Sequence, residues 1–367
     1  MDYLYQYGLF LAQAATVVVA FLLVISSIAA FSMRRQQQAT GHLEVRKLNE
    51  HFSDLKHGVE SAMLPAGAVK KARKQEQKAN DAAAKAAAKA EKRKAAKRKA
   101  EKKKAAKQEA DTETIRKRVF VLDFEGDLQA NQVKNLRNEV TAVLTNASSH
   151  DEVLVRLESP GGLVHGYGLA ASQLDRIRKH GVPLLVAVDK VAASGGYLMA
   201  VVADRILAAP FAVLGSIGVV AQVPNVHRLL KRHDVDVEVL TAGKYKRTLT
   251  VLGENTEEGR QKFQQDLEDV HDQFQEFVGE HRPQVDLSVV ATGETWHGQR
   301  AVALNLADEL CTSDEYLLAA SESADIYEVR WVEHRRPIER LMAQVESGIE
   351  TMADRMFDKL SRWRGSP

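Results

Sequence analysis

The sequence predicts an α/β fold with a parallel sheet in its central part. Short runs rich in Val, Leu and Phe alternate with segments of helical periodicity between residues 118 and 188, which is typical of βαβ units. Glycine-containing turns follow the later runs, and open α/β sheets bind their ligands at the carboxyl ends of strands. The long segments on either side differ in composition, so the central part is predicted to form the globular domain.

Residue spacing defines the elements of this domain. Apolar runs favour buried strands, and apolar residues at three- and four-residue steps favour helices. Strands are predicted at Val119–Phe124, Glu152–Leu157, Leu184–Val188 and Val235–Leu240. Helices are predicted at Asn131–Leu144, Leu169–Ile177 and Thr256–His281.

Residues 8–31 carry no charged side chain. These 24 residues are enough to cross a hydrocarbon core of about 30 Å, so a transmembrane helix is predicted. A cleaved signal peptide is the alternative, but Asp2 stands where such a peptide has basic residues. Arg34 and Arg35 favour a cytoplasmic position for the rest of the chain. Because large domains can be translocated despite nearby charge, the side of the membrane stays open.

Residues 70–107 form a basic arm within an N-terminal region, 32–117. The arm holds 17 Lys or Arg against 4 Asp or Glu, so a chain with net charge +2 carries −11 outside it. No apolar side chain in the arm is larger than alanine, which predicts a solvated helix that serves as a spacer. Attraction to anionic lipid headgroups is the alternative. Nucleic acid is not an expected partner, because the arm lacks aromatic residues on which bases stack.

The last segment, 313–367, is predicted to contain a strand and an amphipathic helix, Glu339–Trp363. Apolar residues recur along one side of this helix: Leu341, Val345, Ile349, Met352, Met356 and Leu360. Such a stripe favours a packing or oligomer contact. The single cysteine, Cys311, excludes an intramolecular disulfide.

Three turns combine serine and glycine: Ser159-Pro160-Gly161-Gly162, Ser194-Gly195-Gly196 and Gly215-Ser216-Ile217-Gly218. Ser194 precedes the apolar run Tyr197–Val201, so it is predicted to lie at the start of a buried helix. Amide groups and the helix dipole stabilise a developing oxyanion there. Ser194 is therefore a candidate nucleophile, and the Gly161-Gly162 turn a candidate second oxyanion donor. The structural alternatives are a helix N-cap and a plain turn.

A serine nucleophile needs a base, and none of the 12 histidines stands in a motif that points to Ser194. A lysine can act instead if its pKa falls from about 10.4 by some three units, which requires a desolvated site. The run Thr241-Ala242-Gly243-Lys244-Tyr245-Lys246 follows a predicted strand. The residues alone do not choose between Lys244 and Lys246.

Five ordered motifs carry a family resemblance. They are Glu158-Ser159-Pro160-Gly161-Gly162, Ala193-Ser194-Gly195-Gly196-Tyr197, Gly215-Ser216-Ile217-Gly218-Val219, Gly243-Lys244-Tyr245-Lys246 and Trp296-His297-Gly298-Gln299-Arg300-Ala301. From Val119 to about Leu310 the chain resembles the S49 family of serine proteases, the signal-peptide peptidase A group.

The resemblance implies a ClpP/crotonase-like fold, with a protease domain at 118–312, and a Ser/Lys dyad. The family serine falls on Ser194 and the family lysine on Lys246. Gly161, Gly162 and Gly195 match the oxyanion hole. No cofactor or metal is implied.

The resemblance also implies peptide or protein substrates, among them apolar extended peptides such as signal-peptide remnants. The tandem-domain members of the family carry serine and lysine in different halves of the chain, whereas this chain has one such domain. A homo-oligomeric ring is therefore expected, and whether each dyad is completed between two protomers stays open. Together with the predicted span, the resemblance implies the bacterial inner membrane.

Two alternatives to a protease follow from other uses of the same fold. One is an acyl-CoA enzyme of the crotonase type, which needs carboxylates at the site and no activated serine. The other is a non-enzymatic membrane scaffold that keeps the protease fold.

Overall fold

A computed structural model describes residues 41–63 and 116–333. The predicted span 8–31, the basic arm 70–107 and the C-terminal helix 339–363 lie outside these residues. In the described ranges no helix is long and apolar enough to cross a membrane. The chain divides into one unit at Glu44–Arg330 and another made of Met1–Leu43 and Trp331–Pro367. All candidate site residues belong to the first unit.

The described residues contain ten strands and nine helices. The strands are β1 Gly41–Lys47, β2 Lys117–Glu125, β3 Glu152–Glu158, β4 Leu184–Val188, β5 Val191–Ala193, β6 Arg205–Ala208, β7 Val213–Gly215, β8 Thr295–His297, β9 Glu309–Leu310 and β10 Ala324–Glu333. The helices are α1 Leu48–Met63, α2 Val133–Leu144, α3 Val164–Lys179, α4 Gly195–Ala200, α5 His227–Arg232, α6 Glu257–His281, α7 Leu287–Val290, α8 Gly298–Ala303 and α9 Ser313–Ser323.

The main sheet has the strand order β1-β10-β2-β3-β4-β6-β9. Its pairs from β10 to β9 are all parallel, so the predicted α/β class is confirmed. Apolar side chains of α2 and α3 pack on one face, and Leu48 of α1 and Leu317 of α9 pack on the other. Both faces of the sheet are covered, as is usual for parallel sheets. The central strand β4 is accordingly a continuous apolar run, and each of its residues is buried.

Helix α3 begins at Val164, five residues before the predicted start at Leu169. Glycines at 166 and 168 lower helix propensity and so conceal the first turn in the sequence. Gly166 is nevertheless required by packing, because a Cβ there would stand 2.9 Å from the carbonyl oxygen of Gln129. Close approach to that carbonyl outweighs the lower propensity.

The strand predicted at Val235–Leu240 is wrong. The segment has no regular secondary structure and pairs with no strand of the described chain, and Val235, Val239 and Leu240 are exposed. A segment with strand-like spacing forms a strand only where a neighbour accepts its backbone hydrogen bonds and covers its apolar side chains.

A second, small sheet positions the site. Its order is β5-β7-β8, with β5 parallel to β7 and β8 antiparallel to β7. A bridge between Ser159 and Ala192 connects the end of β3 to β5. The chain therefore passes from the carboxyl edge of the main sheet into β5, and β5 ends at Ala193, directly before Ser194.

Candidate active site

Ser194 connects β5 to α4 in a conformation that non-glycine residues rarely adopt. Its φ is 50° and its ψ is −119°, outside the regions favoured by L-residues. Such a conformation costs about 1–3 kcal/mol and persists only where the surroundings impose it. In α/β-hydrolases a similarly sharp strand–turn–helix connection exposes the nucleophilic serine.

Backbone hydrogen bonds hold this turn in place. The Ser194 amide donates to the Gly215 carbonyl at 2.8 Å, and the Leu198 amide donates to the Ser194 carbonyl at 2.9 Å. The half-buried hydroxyl makes no capping bond, and no histidine of the described chain hydrogen-bonds to it. Ser194 thus occupies the N-cap position without acting as a side-chain cap.

The Gly161-Gly162 turn lies directly against Ser194. Gly161 has a φ of 93°, and a Cβ built on it would stand 2.8 Å from both the Ser194 Cβ and the Gly195 nitrogen. Only glycine fits this conformation and this approach. The structure therefore brings Ser194 and Gly195 against the glycine turn, which lies more than 30 residues before them in the sequence.

The three predicted oxyanion donors are not equivalent. The Gly161 amide donates to the Ser159 hydroxyl at 3.0 Å. The Gly162 and Gly195 amides have no hydrogen-bond partner among the described residues. Among the described residues the N–H groups of Gly162 and Gly195 are therefore free to bind a ligand, whereas that of Gly161 is already bonded.

The two candidate lysines differ in their surroundings. The Lys244 Nζ lies 2.7 Å from a carboxylate oxygen of Glu258, and this hydrogen bond raises the pKa of Lys244. A raised pKa opposes the neutral form that a base requires. Lys246 is exposed, its amide donates to the Gly243 carbonyl at 3.1 Å, and no hydrogen bond joins it to Ser194 within the described chain.

Other features of the described residues lie apart from Ser194. No group of three or more His, Cys, Asp or Glu in these ranges is arranged to hold a metal ion. Two surface cavities of about 440 and 550 Å³ lie over α2 and α3 and share Thr141 and Arg176. None of the residues that line them belongs to the five motifs.

Comparison with known proteins assigns the family. The model for the N-terminal part of peptidase family S49 matches residues 2–174, and the model for peptidase family S49 matches residues 176–327. A relative from Haemophilus influenzae named "Probable protease SohB" is 47% identical over 98% of both chains. The chain belongs to peptidase family S49. The resemblance predicted from the five motifs is thereby confirmed, and this S49 chain is a protease.

Two further similarities accompany the assignment. A "Probable protease SohB" from Buchnera aphidicola subsp. Acyrthosiphon pisum is 49% identical over 66% of this chain and 73% of its own. A solved structure, "1510-N membrane protease specific for a stomatin homolog from Pyrococcus horikoshii", has 11% identity and a TM-score of 0.36, over 56% of this chain and 79% of its own. The family assignment rests on the family models and the close relatives alone.

The two S49 models meet inside helix α3. The first ends at 174 and the second begins at 176, whereas α3 continues from Val164 to Lys179. The glycine turn belongs to the first matched part and Ser194 to the second. The candidate site is therefore assembled from both parts, across the sequence junction.

Proposed function

We propose that this S49 protease is a membrane-anchored serine endopeptidase in which Ser194 is the nucleophile and Lys246 the general base. One observation carries the proposal: an unbonded serine hydroxyl lies in a strained turn beside the free amides of Gly162 and Gly195. A nucleophile next to unsatisfied N–H donors is the arrangement that acyl transfer requires.

The proposed reaction has two steps. Neutral Lys246 takes the Ser194 proton as the serine oxygen bonds to the substrate carbonyl carbon, and the C=O π electrons move to oxygen. The amides of Gly162 and Gly195 bind this oxyanion. On collapse the C–N bond breaks, and Lys246 returns the proton to the leaving amine. Water then attacks the acyl-enzyme by the same route and releases the acid.

Labelling with a fluorophosphonate probe tests the nucleophile. The full chain, solubilised in detergent, should be labelled at one serine, and Ser194→Ala should abolish both labelling and peptide hydrolysis. Ser216→Ala is the informative comparison, because Ser216 also has a positive φ, 53°, and lies at the end of the adjacent strand. Labelling that disappears in Ser216→Ala and persists in Ser194→Ala would overturn the assignment.

We extend the proposal to a ring in which Lys246 acts on a neighbouring protomer's serine. A lysine base must be desolvated, yet Lys246 is exposed in the single chain. The segment 219–256 around it carries an unusual number of exposed apolar side chains: Val220, Val223, Leu229, Val235, Val239, Leu240, Tyr245, Val251 and Leu252. A second copy that covers this segment would bury these side chains and Lys246 together.

A mixture of two inactive variants tests the shared dyad. Ser194→Ala protomers retain Lys246, and Lys246→Ala protomers retain Ser194. When they are co-assembled, hydrolysis should reappear at interfaces that combine the two intact residues. If each variant alone forms the oligomer but every mixture stays inactive, each protomer uses its own lysine.

The substrates we propose are apolar, extended peptides, such as signal-peptide remnants or membrane-protein fragments. This class follows from the family resemblance and from the predicted inner-membrane anchor at 8–31. Cleavage rates on matched peptides with apolar or charged residues around the scissile bond measure the preference. Equal rates on both sets would contradict this preference. An oligomer that the fluorophosphonate probe does not label, and that hydrolyses no peptide, would favour the membrane scaffold.

A further inference from the structure

A buried pair of hydroxyl groups, Ser159 and Tyr167, lies directly behind the proposed oxyanion hole. Both residues are 0% exposed. The hydroxyl oxygens are 2.6 Å apart, the Gly161 amide donates to the Ser159 oxygen at 3.0 Å, and the Tyr167 hydroxyl donates to the Asp127 carbonyl at 2.8 Å. Four groups from three separate segments are thus joined by consecutive hydrogen bonds.

The direction of these bonds follows from proton counting. A carbonyl only accepts, so the single Tyr167 proton goes to Asp127. The Tyr167 oxygen must then accept the proton of Ser159, and the Ser159 oxygen accepts the Gly161 N–H. Burial raises the pKa of Tyr167, which keeps its hydroxyl protonated and able to donate. The chain of bonds therefore has one orientation.

The same two residues touch both sides of the oxyanion hole. The bond from Gly161 to Ser159 fixes the peptide that precedes the Gly162 amide. A Cβ on Gly195 would stand 2.5 Å from the Tyr167 ring, and a Cβ on Gly196 would stand 2.5 Å from the Ser159 carbonyl oxygen. One side chain thus supports the Gly162 donor and the other supports the turn that presents the Gly195 donor.

The backbone of Ser159 also locates the nucleophile. Its amide donates to the Val191 carbonyl at 2.8 Å, and the Ala193 amide donates to its carbonyl at 3.0 Å. These bonds join the end of β3 to both ends of β5, directly before Ser194. Ser159 therefore sets the distance between the glycine turn and the nucleophile.

We infer that Ser159 and Tyr167 are positioning residues that hold the Gly162 and Gly195 amides at the spacing an oxyanion needs. Neither side chain touches the reacting atoms. Their effect is expected in the transition state, because an amide that is only slightly misdirected still permits substrate binding but binds the oxyanion less well. This inference rests on the proposed function of the same site.

Tyr167→Phe tests the inference with the ring retained and the hydroxyl removed. We expect kcat to fall about tenfold to a hundredfold, less than the 10²–10³-fold loss of a whole oxyanion donor, with KM unchanged within about twofold. The inhibition constant of a peptide aldehyde should rise by the same factor. In that adduct the Ser194 oxygen bonds to the aldehyde carbon, the serine proton passes to Lys246, and the resulting oxyanion occupies the hole.

Tyr197→Phe is a matched control. Tyr197 is also 0% exposed and its hydroxyl also donates to a backbone carbonyl, that of Leu306 at 3.1 Å, but this bond leads away from the glycine turn. Both variants should lose similar thermal stability, whereas only Tyr167→Phe should lose kcat and aldehyde affinity. Equal kcat losses in the two variants would mean that Tyr167 has only a structural role.

Ser159→Ala supplies an independent test of the chain of bonds. It should lower kcat at least as much as Tyr167→Phe, and the double variant should lose little more than the larger single loss, because both changes break one network. If the kcat losses of the two single variants multiply in the double variant, or if Tyr167→Phe keeps the kcat of an active wild type, this inference is overturned but the proposed function is not. A wild-type chain that neither labels nor hydrolyses peptides overturns the proposed function as well.

Discussion

The ammonium of Lys244 lies 2.7 Å from the carboxylate of Glu258, in the first turn of α6. Lys244, one of the two lysines that the sequence offers as a base, is therefore ion-paired. Lys246, the other, has no carboxylate partner in the described chain. The hydrogen bond to Glu258 raises the pKa of Lys244, which opposes its neutral form and supports our proposal that Lys246 is the base.

Substitution of each lysine separates their roles. Lys246→Ala should lower turnover by about 10²–10⁴-fold, the usual contribution of a general base, whereas Lys244→Ala should keep most of it. Initial rates of peptide hydrolysis by the detergent-solubilised full chain measure both. A large loss in Lys244→Ala with near-normal Lys246→Ala would reverse the assignment.

The strained backbone of Ser194 predicts an unusual order of stabilities. Ser194→Gly should be more stable than Ser194→Ala by about 1 kcal/mol, because glycine relieves the cost of a φ of 50°. Chemical denaturation of the two inactive variants measures the difference.

The matched control for this order is Ser172, an exposed position inside helix α3. There the alanine variant should be the more stable one by about 0.5–1 kcal/mol, since glycine weakens a helix interior. The same order at both positions would contradict strain at Ser194.

The sequence predicts the strands and helices of the main sheet well, but the turn around Ser194 only in outline. β4 was predicted with its observed bounds because a fully buried strand is a continuous apolar run. Val235–Leu240 alternates valine with acidic residues, which also favours a strand, but no strand of the described chain pairs with it. The sequence pattern does not show whether a partner strand is present.

The contributions of individual residues to the site were harder to predict. The sequence singles out Gly161, Gly162 and Gly195 together, but only the position of the Ser159 hydroxyl shows that the Gly161 amide is already bonded. Tyr167 gives no signal of its own, because a tyrosine on the apolar side of a helix is ordinary core. Its contacts depend on a fold that brings α3 against two distant turns.

Asp151 predicts how stability depends on pH. It is 2% exposed; burial alone would raise its pKa, but hydrogen bonds from Arg118 and Ser148 outweigh burial and lower the pKa from 3.8 to about 2. A lowered folded-state pKa stabilises the fold above the unfolded value, and this stabilisation is lost as pH falls from about 4 to about 2.

Asp151→Asn should therefore lower the free energy of unfolding at pH 7 by on the order of 2 kcal/mol and should flatten its fall between pH 4 and pH 2. Denaturation curves across this range measure the effect. Asp269→Asn, on an exposed part of α6, is the control and should leave the profile unchanged. A parallel shift of the whole Asp151→Asn curve, with no change of slope, would show that its ionisation is not involved.

The ion pair between Arg282 and Asp308 is unequally buried, with side chains 2% and 31% exposed. Asp308→Ala leaves a buried guanidinium whose remaining partner among the described residues is the Asn305 carbonyl, so it should cost about 3–5 kcal/mol. Arg282→Met leaves a partly hydrated carboxylate and should cost distinctly less. Urea titrations of both variants check the order, and equal costs would show that the difference in burial has no energetic effect.

The close packing around the Ser159–Tyr167 pair limits which mutations this protein can tolerate. One added methyl group at Gly126 would meet both hydroxyls, and at Gly195 or Gly196 it would meet the ring or the carbonyl, whereas at Gly168 it would have nothing within 4 Å. Substitutions are therefore tolerated on the outer surface of α3 but hardly at all in the turn around Ser194. The segment 219–256 carries many exposed side chains, so its residues can change size without compressing the Ser159–Tyr167 pair.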